Sequence, residues 1–177
     1  MPAIAGNQRS AEGRRAFDDY PTHPDWTRAL LQYIEIPKGA TVWEPAAGPQ
    51  QAIVHVLREA GHNVRSTDIQ AGQDFLRSTE RADVIITNPP FGDVDAFIAH
   101  GLRQSDSMLC ILLGWHLFSG GIARTRNIWH RDPPSMLVVI PKHMPIAGMG
   151  RSQFAHAWAI WDRVNPAEAT ELYWHLF

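Results

Sequence analysis

A short apolar run at residues 40–43 passes directly into Glu44-Pro45-Ala46-Ala47-Gly48-Pro49-Gln50, then a helical stripe, a second strand and Asp68. This order constrains the fold more than any other feature of the chain. Ala40-Thr41-Val42-Trp43 reads as a buried strand, and the small residues after it allow close backbone approach. Ile53, Val56, Leu57 and Ala60 occupy one helical face, and Gly61 stands where a left-handed C-terminal cap belongs. Residues 63–67 form the next strand and end at Asp68, twenty residues after Gly48. One strand, one turn and one helix consume about that many residues. The spacing therefore sets a carboxylate at the carboxyl end of the second strand.

The alternation continues along the chain. Pro24 suits a first helical turn, and Trp26, Leu30, Tyr33 and Ile34 make an apolar stripe that Pro37-Lys38-Gly39 ends. Residues 72–76, carrying Asp74 and Phe75, read as either a strand end or a turn. Ala82–Thr87 is a buried strand, the fourth if residues 72–76 are counted, and Asn88-Pro89-Pro90-Phe91 follows at its carboxyl end. Residues 93–104 are predicted helical, with Val94, Phe97, Ile98 and Leu102 on one face. Residues 107–113, 135–140 and 155–162 are predicted strands, and 114–134 an irregular, partly helical excursion. Residues 171–177 extend or pair with the strand at 155–162. Alternating strands and helices predict an α/β fold, a doubly wound, mostly parallel sheet with right-handed crossovers. The polar loop at 142–153 predicts an antiparallel pair at its C-terminal edge.

At 177 residues the chain is expected to form a single domain from residue 20 to 177 behind a flexible tail at 1–19. A core of that size needs no disulfide or metal staple. The single cysteine, Cys110, lies in the run 108–113 and reads as a buried thiol. Without a signal core or a membrane-length apolar run, a soluble cytoplasmic protein is expected, with no membrane partner. The histidines show no metal-ligand spacing, so no metal is expected. The net charge of −2 argues against nonspecific coating of nucleic acid. Between Trp115 and Arg163, however, Arg124, Arg126, Arg131, Lys142, Arg151 and Arg163 outnumber Asp132 and Asp162, with His116, His130, His143 and His156 besides. An ordinary solvated surface and a phosphate-facing one both fit that distribution.

Asn-Pro alone is turn chemistry, because proline fixes φ and biases the preceding residue toward extended backbone. Behind a small-residue turn and an acid in this order it means more. The chain from about Tyr20 to Asp162 resembles the class I S-adenosylmethionine-dependent methyltransferases, and within them the amino-methylating group that modifies adenine in DNA. The resemblance implies a Rossmann-like methyltransferase fold and S-adenosylmethionine as cofactor. It implies Glu44, Pro45, Ala46 and Gly48 in the cofactor loop, and Asp68 with Ile69 at the ribose. Asp74 and Phe75 fall where a side chain approaches the cofactor's adenine, and Tyr20, Pro21 and Thr22 where a segment closes over it. Tyr20 also fits simple core packing. Asn88, Pro89, Pro90 and Phe91 match the catalytic tetrapeptide, with Asn88 beside the cofactor as well. Gln50 departs from the family pattern, which has a further glycine there. No segment has room for a separate target-reading domain, so sequence preference is expected to be loose or short. A second copy of the chain would add gripping surface.

The chemistry suits these residue types. The lone pair of an adenine 6-amino group is delocalised into the ring and must be relocalised before it attacks a methyl group. An Asn88 amide oxygen and a Pro89 carbonyl can each accept one N–H bond from that nitrogen, while two prolines stiffen the loop and remove competing donors. Phe91 is placed to stack on the base, which has to be flipped out or already single-stranded. Alignment supplies the acceleration, so no nucleophile or general base is required. RNA adenine, a protein glutamine amide, and a noncatalytic cofactor- or nucleic-acid-binding module are the competing readings. Phenylalanine rather than tyrosine at position 91 favours adenine.

Overall fold

The computed structural model describes residues 22–119, 121–141, 145–146, 150–151 and 155–177. The expected tail at 1–19, and Tyr20 and Pro21, lie outside them. Helix α1 (Pro24–Leu30) is capped by the His23 side chain, which accepts from Asp25 N, and carries proline in its first turn. It is shorter than the apolar stripe predicts. Residues 31–33 leave it as tight turns, and Tyr33 and Ile34 reach the core from outside the helix.

Strand β1 (Thr41–Glu44), helix α2 (Ala52–Glu59), β2 (Asn63–Ser66), β3 (Ala82–Thr87), helix α3 (Val94–Gln104) and β4 (Ser105–Gly114) follow the sequence expectation closely. Gly61 has φ of 88° and ends α2, with its N–H on the Arg58 carbonyl. Residues 69–77 correct the strand count: Ile69–Ala71 and Phe75–Arg77 are single 3₁₀ turns, each opened by an aspartate side chain, so β3 is the third strand. Asp68 and Asp74 accept bonds from the N–H groups two residues on, which turns the chain rather than extending it.

Beyond β4 come a 3₁₀ stretch (Trp115–Ser119), a helical turn α4 (Ile122–Arg124) that passes into a π-turn (Thr125–Trp129), and β5 (Met136–Ile140). The short strands β6 (Pro145–Ile146) and β7 (Gly150–Arg151) pair with each other inside the expected loop. Then come β8 (His156–Asp162) and β9 (Glu171–Trp174). The main sheet has seven strands in the order β2-β1-β3-β4-β8-β5-β9. β8 runs antiparallel to both β4 and β5, which is the antiparallel pair the sequence predicts. β9 departs from expectation: it pairs in parallel with β5, outside that pair, rather than with β8.

Period-2 alternation sends each strand's side chains to two separate cores. Val42, Val84, Ile86, Cys110 and Trp158 pack under α1 and α2. Trp43, Ile85, Leu109, Ile111 and Trp161 pack under α3 and the 115–129 excursion. Burial of Cys110 pushes its thiol pKa well up, as an inert core residue requires. Trp158 and Trp161 are core residues. No helix among the described residues is long and apolar enough to cross a membrane, and none of their His, Cys, Asp and Glu side chains form a metal-binding group.

Candidate active site

The site is built from the carboxyl ends of three adjacent strands. Thr41 N and Oγ1 both donate to Asp83 Oδ2, at 2.7 and 2.8 Å, where β1 and β3 begin. Val42 then aligns with Val84, and Trp43 with Ile85. Carried to the strand ends, this register sets Glu44 level with Ile86, one residue before Thr87. Thr87 Oγ1 donates to Glu44 Oε1 at 2.5 Å, and Ala46 N donates to the same oxygen at 3.0 Å. Both side chains are buried, and Glu44 Oε2 has no partner among the described residues. Burial above all, with the neighbouring Asp68 charge adding, pushes the Glu44 carboxyl up to about 8 against the lowering effect of its two hydrogen bonds.

The loop after β1 is stitched to the end of β2. Thr67 N donates to the Glu44 carbonyl and Ala47 N to the Thr67 carbonyl. Asp68 Oδ2 accepts from Gly48 N at 2.8 Å, and Oδ1 from Gln70 N at 2.7 Å. Each carboxylate oxygen keeps lone-pair capacity for a second donor. Gly48 has φ of 59°, a left-handed conformation that glycine adopts without strain. Gln51, at φ of 46°, holds the same conformation at the mouth of α2 without that freedom. Gln50, the departure from the family pattern, is exposed. Ile69, beside Asp68, is 62% exposed.

Asn88-Pro89-Pro90-Phe91 leaves β3 directly after Thr87. Asn88 Nδ2 donates to Thr22 Oγ1 at 3.1 Å, which couples the segment before α1 to the tetrapeptide. The Pro90 carbonyl accepts from Asp93 N and closes the turn into α3. Among the described residues the Pro89 carbonyl has no such engagement. Phe91 is 40% exposed.

The hydrogen bonds thus join Thr22, Glu44, Ala46, Gly48, Asp68 and Asn88 into one region. Pro45 is buried beneath it. Phe75 does not present its ring there. At 3% exposure it packs edge-on against Trp43 and His100, and tilted against Phe97. Asp74 is half-buried, accepts from Leu76 N and pairs with Arg77. Thr87 was not legible as part of the site, although a polar residue ending an apolar strand is the signal that marks it.

Solved structures with the same architecture put this geometry in context. A candidate class I S-adenosylmethionine-dependent methyltransferase from Listeria monocytogenes superposes with a TM-score of 0.63 at 16% identity, over 85% of this chain and 62% of that one. The fold is that of the class I methyltransferases. The modification subunit of a candidate type I restriction enzyme from Vibrio vulnificus gives 0.63 at 18% identity, over 92% of this chain and 48% of that one. A candidate RNA methyltransferase from Pyrococcus horikoshii gives 0.50 at 16% identity, over 80% and 83%. The chain therefore spans 62% and 48% of the first two structures. No family model and no curated protein matches the sequence.

Proposed function

We propose that the chain transfers a methyl group from S-adenosylmethionine to the 6-amino group of adenine in DNA, with loose or short sequence preference. One observation carries the reading: the Thr87–Glu44 hydrogen bond couples the strand that delivers Asn88 to the loop that resembles a cofactor cradle. The residues present fit the cofactor. Glu44 Oε2, buried and without a partner among the described residues, suits a cationic ammonium group, whose charge would favour the ionised carboxylate over the protonated form that burial favours. Asp68 suits a ribose diol, and exposed Ile69 beside it offers an apolar surface for a purine. When bound, S-adenosylmethionine supplies an electrophilic methyl group.

The protein's own part is alignment. With Nδ2 held by Thr22, the Asn88 amide turns its Oδ1 the other way, as the acceptor for one amino N–H. The Pro89 carbonyl accepts the second. Two acceptors set on a stiff loop draw the nitrogen toward tetrahedral geometry and localise its lone pair. Phe91 stacks on the base, a contact worth about 1 to 3 kcal/mol that offsets unstacking from a duplex. The proton on the methylated nitrogen leaves to water.

Modification of RNA is the second reading, favoured by the likeness in size to the P. horikoshii structure, 83% of which this chain covers. Labelled S-adenosylmethionine incubated with DNA and RNA oligonucleotides, with and without adenine, separates them. Label in adenine-containing DNA supports the first reading, and label in RNA alone replaces it with the second.

A further inference from the structure

Every arginine whose side chain is described makes an ion pair or hydrogen bond, except Arg126, which has no partner among the described residues. Arg126 sits on the helical excursion after β4. One face of that excursion is fixed to α3, where Arg124 Nε donates to Asp95 Oδ1 at 2.7 Å and Ile128 is 5% exposed. Ile122, Arg126 and His130, spaced four apart, share the opposite face with Thr125. These residues and Gly121 line a surface cleft of about 620 Å³, and none of its described lining residues is a carboxylate. Ile122 is 79% exposed.

We propose that this face grips the phosphodiester backbone of the DNA that carries the target adenine, with Arg126 as its central contact, resting on the reading of the chain as a DNA adenine methyltransferase. A guanidinium presents a planar fork of donors matched to phosphate oxygens, and one left unpaired has no internal pair to break before binding. His130 adds a second nitrogen donor on the same face, and the exposed Ile122 gives an apolar surface against which sugar carbons pack. The placement fits the chemistry. α3 starts three residues after Phe91, and its first turn, through Asp95, holds Arg124. A strand gripped here is therefore tied to the element that Asn88 to Phe91 lead into.

The test is DNA binding of the full chain and its Arg126→Ala variant, by fluorescence anisotropy on labelled oligonucleotides across a salt series. The proposal expects the slope of log K against log salt to fall by about 1, and affinity to drop about tenfold at 0.1 M salt for every sequence tried. Affinity for S-adenosylmethionine and melting temperature should not change. Arg126→Lys should retain most of the slope. Lys38→Ala, in the turn before β1, should retain all of it. An unchanged slope in Arg126→Ala, with the wild-type chain still methylating DNA, overturns this proposal alone. Loss of RNA binding without loss of DNA binding also overturns it. A wild-type chain that neither binds nor methylates DNA overturns it together with the functional reading.

Discussion

Thr87 Oγ1 donates to Glu44 Oε1 at 2.5 Å, joining the last residue of β3 to the last residue of β1. One buried carboxyl group thereby touches both the loop proposed to hold the cofactor and the strand that carries Asn88. Its second oxygen has no partner among the described residues, and its burial sets its response to pH.

Folded Glu44 keeps its proton up to about pH 8, whereas an unfolded chain releases it near 4.5. Within that window the folded state binds the extra proton, so this contribution to stability is full below about 4.5 and is lost as pH rises toward 8. Each pH unit inside the window is worth about 1.4 kcal/mol. The loss ends above pH 8, where both states are ionised and Glu44 faces the neighbouring Asp68 charge. Urea unfolding of Glu44→Gln at pH 5 and pH 8 should show this component of the slope gone. A slope equal to that of the wild type contradicts the assignment.

The Thr22–Asn88 hydrogen bond holds the Asn88 amide with its Nδ2 on Thr22 Oγ1. Thr22→Val removes that acceptor and loosens the placement of the amide, so kcat should fall roughly ten- to a hundredfold, the scale of small misplacements at a reacting centre. Affinity for S-adenosylmethionine should hold, and Thr22→Ser should restore turnover. If Thr22→Val instead weakens cofactor binding and spares kcat, Thr22 belongs to the cofactor site, as the family resemblance implies.

Phe75 and Phe91 separate packing from recognition. Phe75, 3% exposed among Trp43, Phe97 and His100, should cost about 3 to 5 kcal/mol of stability when changed to Ala. Phe91→Ala, at a 40% exposed position, should cost clearly less stability than Phe75→Ala, yet weaken binding of an adenine-containing strand by about 1 to 3 kcal/mol. Chemical denaturation and KM for DNA distinguish the two. Equal destabilisation by both variants contradicts the division.

The parts of this arrangement governed by local rules were legible in the sequence. Apolar runs marked β1, β3 and β4, Gly61 marked the end of α2, and the Gly48–Asp68 separation followed from the length of one crossover. What escaped depends on long-range register. Nothing local ties Thr87 to Glu44 or Thr22 to Asn88, since those pairs meet only when β1 and β3 align and α1 docks. β9 chose β5 as partner because β8 is already paired on both sides, by β4 and β5. The turns at 69–77 were ambiguous because Asp68 and Asp74 fold the chain through side-chain bonds that no hydrophobic period reports.

The most direct measurement is digestion of DNA after reaction with labelled S-adenosylmethionine, with identification of the modified nucleoside, for the wild-type chain and Asn88→Ala. The account predicts N6-methyladenine from the wild type and none from Asn88→Ala, with cofactor binding by calorimetry unchanged between the two. Label on another nucleoside, or equal N6-methyladenine from Asn88→Ala, contradicts it.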